Sequence, residues 1–377
     1  MYDDLCWFFA PRAQEDGSGL LILAKYGGVF LDSQYEDGGD GEMFKLELVY
    51  YPLSNSVPWD VESVKLPQPD GVLGTDIKDL GDDPEAYRWT FLKENHQGRN
   101  HYAPMVALAK AFSQTGTVLD AQMAALMDVD EWLRSVAFIG LIGGSDIYTY
   151  GNSHNHMIYF RPEDGRAMGL LWDMDYSFVQ ATNNVFPGTG SPNTTKLLQR
   201  PANLHAYYAH IHDLSLFTGD SAYLLQRANR YSGLVGQNWT NVVRWLADRA
   251  SWVRSQLPLA TPFAVTNNAG NGYGVTNAQA TISGTAPVTV REIFVNGVSH
   301  PVTWLTATNW SVTVNLTAFA NPLTLAATDL RGAVLSNATD SITITNFGQP
   351  APLPVVVNEW MADRSEEHTS ELQSRQS

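Results

Sequence analysis

A chain of 377 residues with 44% hydrophobic and 11% aromatic side chains is long enough for two or three domains, and too apolar to be disordered or collagen-like. Its 39 acidic against 23 basic side chains give a net charge of −16, which is expected to repel nucleic acid and anionic membranes and argues against a duplex DNA binder. The single cysteine, Cys6, excludes an internal disulfide and a cysteine-cluster metal site.

No apolar run reaches the roughly 18 residues a membrane span needs, so no membrane insertion is expected. Residues 1–4 carry no basic or apolar leader. Apolar runs of strand length at 20–24 and 43–51 flank a glycine-rich turn at 37–41, whose glycines are expected to supply positive φ. Helical spacing of apolar residues comes next, at 105–112 and 119–127. Asp128 and Glu131 then read as a reciprocal capping box, opening a helix whose buried stripe is Trp132, Leu133, Val136, Ala137, Gly140 and Leu141. Strands at 157–160 and 167–173 around a turn at 162–165 read as a hairpin. Helices are expected near 206–211, 222–228 and 239–257.

Beyond Pro258 the composition changes. Residues 262–346 carry only Arg291, Glu292, Asp329, Arg331 and Asp340 as charged side chains and are rich in Thr, Val, Asn and Ala. Short alternating runs at 280–283, 288–295, 311–316, 323–328 and 341–345 predict a β-sandwich, expected to make few contacts with the first unit.

The stretch 143–178 holds the most chemistry. A helix ends at Gly143 and Gly144, a loop brings Asp146, Asn155 and His156, and the hairpin ends in Trp172-Asp173-Met174-Asp175. Carboxylates two apart at a strand end share a face, and such hard oxygen donors suit Mg²⁺ with substrate phosphates. Protein kinases order a base Asp, a loop Asn and a metal-binding Asp in the same way. The alternative is that Asp173 and Asp175 end a strand and bind loop amides.

The runs GGSDIYTYGNSHNHMIYF and LLWDMDYSF, with GDGEMFKLEL, AYRWTFLKENH, DVDEWLRSVAF and LLQRPANLHAYY, resemble the CotH kinase family of spore-coat-type proteins over residues 1–258. The resemblance implies an α+β fold in which a divergent protein-kinase-like domain (1–258) precedes an all-β immunoglobulin-like sandwich (262–346). It implies a secreted or cell-surface bacterial enzyme that transfers the ATP γ-phosphate to protein Ser, with Mg²⁺ and ATP as cofactors and a protein as partner. By position, Asp146 would be the catalytic base, Asp173 the metal ligand supported by Asp175 and Asn155, and Lys45 and Lys93 the cations that steer ATP phosphates. In place of the family's Asp-Arg-His the loop reads Asp146-Ile147-Tyr148, which removes the neighbouring cation. The strands that cover the nucleotide would lie upstream of Met1, so this stretch by itself is expected to transfer little. A cell-surface binding or adhesion protein with a non-catalytic domain of this type is the competing reading.

The run VREIFVNGVSHPVTWLTATNWSVTVNL resembles immunoglobulin-like modules of bacterial secreted enzymes. Residues 347–353 read as a linker and 354–363 resemble the first strand of a lamin-tail-like domain. Residues 364–377, beginning RSEEHTSELQS, resemble the translation of a sequencing adapter and are set aside. His154-Asn155-His156 matches a nuclease signature only superficially, and an acidic chain is a poor DNA partner. His205, His210 and His212 put two imidazoles on one helical face, as zinc needs, without an evident third ligand.

Overall fold

Alternation of apolar side chains in the first unit decides which way a small antiparallel sheet faces, and helices cover it unequally. The computed structural model describes residues 3–6, 20–23, 25–51, 71–149, 153–186 and 191–349. The lamin-tail-like strand, the adapter-like tail and residues 350–353 of the linker lie outside these residues. Strands β1 (Asp3–Cys6) and β2 (Leu20–Leu23) form an antiparallel pair. Helix α1 (Gly28–Gln34) leads through a short turn to β3 (Glu42–Leu46). The single strand expected over 43–51 is interrupted at Glu47 and Leu48, although the Glu47 amide still donates to the Thr90 carbonyl opposite β3. Past this break β4 (Val49–Tyr51) pairs with β5 (Gly71–Leu73) as a separate ribbon.

β6 (Phe91–Lys93), β7 (His156–Phe160) and β8 (Ala167–Leu171) complete the main sheet, in the order β6-β3-β7-β8 with antiparallel neighbours throughout. Phe44, Leu46, Phe91, Ile158, Phe160 and Ala167 point to one face, where they join the main core with α2 (Ala103–Ser113), α3 (Gly116–Leu126) and α4 (Val129–Ile142). Met43, Met157, Tyr159 and Met168 point to the other, packed on Tyr26 and Leu31 of the α1 region. The glycines of 37–41 do not supply the positive φ expected of them; Asp37 does, at φ 49°. They are needed for close approach instead, since a Cβ at Gly38 would collide with the Leu31 carbonyl and one at Gly41 with the Phe160 carbonyl.

Helices α5 (Pro192–Leu198), α6 (Pro201–Thr218), α7 (Ser221–Val235) and α8 (Thr240–Gln256) come after the hairpin. α6 packs along α4, and α8 along α6.

The second unit is a sandwich. One sheet runs β10 (Tyr273–Val275), β17 (Val334–Asn346), β16 (Ala320–Thr328), β12 (Glu292–Val295), β13 (Val298–His300). The other runs β14 (Thr303–Trp304), β15 (Asn309–Asn315), β11 (Gln279–Thr285), β9 (Ala264–Val265). Trp310, Ile282, Val290, Ile293, Leu325 and Ile344 fill the space between them. Asn296 and Gly297, with φ of 50° and 80°, make the tight turn between β12 and β13. The chain as a whole is therefore mixed α+β.

The expectation of few contacts between the units is corrected by the junction. Val288 is fully buried and belongs to the main core of the first unit. His205 of α6 stacks on Trp304 at 3.4 Å, and its ring nitrogens lie 2.8 Å from the Ala307 carbonyl and 2.6 Å from that of Val290. Arg291 pairs with Asp130 of α4 at 2.9 Å, and Arg331 with Asp213 of α6 at 2.8 Å. A change in composition marks a change of element type, and it carries no information about how two units dock. Val288→Ala, although it lies in the sandwich sequence, is expected to destabilise the helical unit by about 1–2 kcal/mol. Denaturant unfolding followed by the fluorescence of Trp132 and its neighbours checks this; a helical-unit transition that does not move would show that Val288 contributes nothing to that core.

Candidate functional site

Helix α4 delivers the chain to the site. Its N-terminus is capped by Asp128, which accepts the Glu131 amide at 3.1 Å. The reciprocal arm expected of Glu131 is not made, because the Asp128 amide donates to the Ala167 carbonyl of β8. Glu131 turns to β8 instead, accepting from the Gly169 amide and the Ser135 hydroxyl, both at 3.1 Å. Burial pushes its carboxyl up to about 7, against those two hydrogen bonds.

Gly143, left-handed at φ 63°, ends α4, and Ser145 then donates from its amide (3.0 Å) and its hydroxyl (3.1 Å) to the Tyr176 carbonyl. The Phe178 amide donates to the Ile142 carbonyl at 3.0 Å. The segment that carries Asp146 thus runs beside the segment just after Asp175.

The register of β7 on β8 pairs His156 with Leu171, so Asn155, just before β7, and Asp173, soon after β8, leave the same end of the sheet. Asn155 donates from Nδ2 to the Asp146 carbonyl at 2.9 Å, and His154 Nε2 lies 3.5 Å from Asp146 Oδ1. That imidazole stands near where the loop lacks its cation. Asn155 and Asp173 are both left-handed, at φ 55° and 51°, a conformation that costs energy for a residue other than Gly. Asp146, Asp173 and Asp175 are all exposed. Among the described residues the carboxylates of Asp173 and Asp175 accept no hydrogen bond, so the alternative in which they bind loop amides finds no partner here.

The two lysines part company. Lys45 pairs with Glu47 at 2.5 Å and lies 5.5 Å from the centre of the Trp172 ring, beside Asp173. Lys93, paired across the ladder with Phe44, sits on the opposite face from Lys45, ion-paired with Glu42 and donating to the Arg99 carbonyl at 3.1 Å. One phosphate therefore cannot be held by both from the same side of the sheet.

Among the described residues no group of three or more His, Cys, Asp or Glu is arranged to hold a metal ion. The zinc possibility falls with this, since His205 is engaged at the junction and His210 Nε2 lies 3.1 Å from Asp130. That contact, with Arg291 adding to it, holds the Asp130 carboxyl down to about 2. Mg²⁺ is a different case, because it is commonly held by one or two carboxylates together with substrate phosphates and waters. Asp173 and Asp175 offer that hard-oxygen chemistry to solvent. Two clefts of about 630 Å³ each lie elsewhere, at the junction on either side of Trp304.

Arg249 escapes a reading of the sequence for chemistry. Its guanidinium is fully buried in α8 and donates to the carbonyls of Leu141 (3.2 Å) and Gly140 (2.6 Å) at the end of α4. It also donates to those of Ala181 (2.9 Å), Asn183 and Asn184 (3.3 Å) beyond the hairpin. The signal is present in the pattern: Arg249 falls on the same stripe as Val243, Ala250 and Val253. Burial of His156, stacked on Tyr148 and edge-on to Trp132, pushes its imidazole down to about 3, which makes it a neutral packing ring.

Comparison with known proteins places a family model on this part of the chain. Residues 64–215 match the model of the CotH kinase protein, a span that includes Asp146, Asn155, Asp173, Asp175 and Lys93 but not Lys45. No curated protein matches the chain. A solved structure described as fibronectin(III)-like modules of Clostridium thermocellum CbhA is similar at 16% identity with a TM-score of 0.18, covering 24% of this chain and 99% of that one. No described helix is long and apolar enough to cross a membrane.

Two side chains of the site region lend themselves to test. Arg249→Lys is expected to cost about 2–4 kcal/mol, because an ammonium cannot reach carbonyls on both segments and leaves buried acceptors unpaired. Chemical denaturation reads it, and a loss under about 0.5 kcal/mol would show that the clamp is idle. For Glu131 the folded state favours the protonated carboxyl. Its contribution is therefore full below about pH 4.5 and is lost as the pH rises through about 7, worth up to about 3 kcal/mol. Glu131→Gln, which stays neutral, should be more stable than the wild type at pH 8 and equal to it near pH 4.5. Parallel stability curves over that range would show that Glu131 is not the titrating group.

Proposed function

We propose that the first unit is an atypical protein kinase that moves the γ-phosphoryl group of ATP to a serine hydroxyl of a protein. One observation supports the reading above the rest: the β7–β8 register, the Ser145–Tyr176 bonds and the Asn155–Asp146 bond bring a loop Asp, a loop Asn and the post-hairpin carboxylates to one end of the sheet. The CotH match over 64–215 agrees with a kinase-like function in general.

In this reading the substrate hydroxyl approaches Asp146, whose carboxylate takes the proton as the new oxygen–phosphorus bond forms. The bond from the γ-phosphorus to the bridging oxygen breaks, and its electrons leave with ADP. Lys45, beside Trp172, supplies positive charge toward the phosphates, while Lys93 stabilises the sheet through Glu42. Asp173 and Asp175 would hold Mg²⁺, which offsets charge on the phosphate oxygens. His154 keeps the Asp146 carboxylate oriented. The neighbouring sandwich fits a secreted or surface location for the whole. A second reading, a binding protein of the same type without catalysis, draws on the loop itself, where Ile147 and Tyr148 leave the family's cation out.

Incubation with radiolabelled ATP, Mg²⁺ and a serine-rich protein acceptor separates the two. Asp146→Ala and Asp173→Ala are each expected to reduce transfer about 100-fold or more, and Asp173→Ala also to abolish Mg²⁺-dependent ATP binding in calorimetry. Undiminished labelling by Asp173→Ala would remove the metal assignment and leave the binding-protein reading.

A further inference from the structure

Asp76 is a carboxylate with four donors and, among the described residues, no cation. Its Oδ1 accepts from the Ile77 amide at 2.7 Å and the Tyr148 hydroxyl at 2.8 Å. Its Oδ2 accepts from the Asn193 amide at 2.8 Å and the Ser191 hydroxyl at 3.1 Å. An ionised carboxylate accepts about four hydrogen bonds and donates none, so this set uses the group fully. Burial raises its pKa and the four donors oppose that shift. Three distant segments meet there: 74–77, the start of α5, and the loop that carries Asp146.

Tyr148 is the arm that reaches the site. Its side chain is fully buried, and its ring stacks on His156 at 4.6 Å and 16°. Trp132 of α4 meets both rings edge-on, at 6.0 Å and 4.9 Å. Tyr148 lies two residues after Asp146, and His156 comes directly after Asn155, which itself holds the Asp146 carbonyl. The loop is thereby fixed at two points, one on Asp76 and one on Asn155. The first holds Tyr148 and the second the main chain of Asp146, whose carboxylate is exposed.

We propose that Asp76 and Tyr148 form a positioning pair that sets the Asp146 loop for transfer. The catalytic half of the claim rests on the reading of Asp146 as the base; the geometric half does not. Nothing in the pair touches a reacting atom. Removing the Tyr148 hydroxyl keeps the stacked ring and the volume but releases the loop from its anchor, and misplacement by an ångström can slow a positioned reaction up to about 100-fold.

Three variants test this: Asp76→Asn, Tyr148→Phe and Ser191→Ala. Tyr148→Phe is expected to lower kcat about tenfold with KM for ATP within about twofold. Hydrogen exchange at residues 145–149 should quicken while β7 and β8 stay protected. Asp76→Asn, which turns an amide N–H toward donors, should act in the same direction. Ser191→Ala removes a donor from the same carboxylate and a hydroxyl that also borders Tyr148, and should quicken exchange at 145–149 less than Tyr148→Phe does. Wild-type exchange at 145–149 in Tyr148→Phe would overturn the proposal, as would kcat and KM moving together with a general loss of protection. If Asp76→Asn does not fold, Tyr148→Phe alone decides. If the wild type transfers too little to measure, the exchange result at 145–149 alone upholds or overturns the anchoring of the loop.

Discussion

The buried guanidinium of Arg249 is the constraint on which the arrangement of the first unit turns. A charge taken out of water is costly unless its donors are all satisfied, and the five N–H groups of this fork find main-chain carbonyls. Those carbonyls belong to two segments far apart in sequence, the last turn of α4 and the loop at 181–184. The first leads directly into Asp146, and the second comes soon after Asp175. One side chain from α8 therefore fixes the separation of the two stretches that carry the acidic residues. Leu141 and Gly140 would otherwise end a helix with carbonyls unpaired in an apolar interior.

Given that separation, the β7–β8 ladder sets orientation. A slip of one residue would move His156 from the α4 face to the α1 face and carry Asn155 away from the Asp146 carbonyl. The ladder resists this because His156 is wedged between Tyr148 and Trp132, and because Gly169 is bare: a Cβ there would strike the His156 ring. Glu131 adds a polar lock, accepting the Gly169 amide from α4. Burial raises the pKa of the same carboxyl to about 7. Burial favours the protonated carboxyl, while the Gly169 bond itself favours the ionised one.

The hairpin, the long helices and the sandwich are legible in the sequence because each is written in short-range pattern. Alternation at 157–160, the helical stripe from Trp132 to Leu141, and Asn296-Gly297 between alternating runs need no partner to be recognised. The features that escape depend on tertiary partners. The capping box is only half made, since Asp128 forms its bond but its own amide is claimed by Ala167, a residue 39 positions away whose pairing no local pattern encodes. The glycines of 37–41 read as conformational in the sequence and are steric in the fold. Lys45 and Lys93 look equivalent as lysines after apolar runs, but strand alternation and register put them on opposite faces. Of the acidic residues, sequence order names Asp146, Asp173 and Asp175; Asp76, set apart in a polar stretch, gives no sign that it anchors Tyr148.

The junction gives α4 a second function. Its 14 residues span about 21 Å, and both ends are held by side chains from elsewhere in the chain. At the N-terminal end Asp130 meets Arg291 of the sandwich and His210 of α6. At the C-terminal end Arg249 holds Gly140 and Leu141. Between them Trp132 and Ser135 bear on the hairpin, through His156 and the Gly169 carbonyl. A helix fixed at both ends and packed in between behaves as a strut, because a close-packed interior has little free volume to absorb movement. The sandwich, through Val288 in the main core and Arg291 on Asp130, thus bears on the same helix that leads into the Asp146 loop.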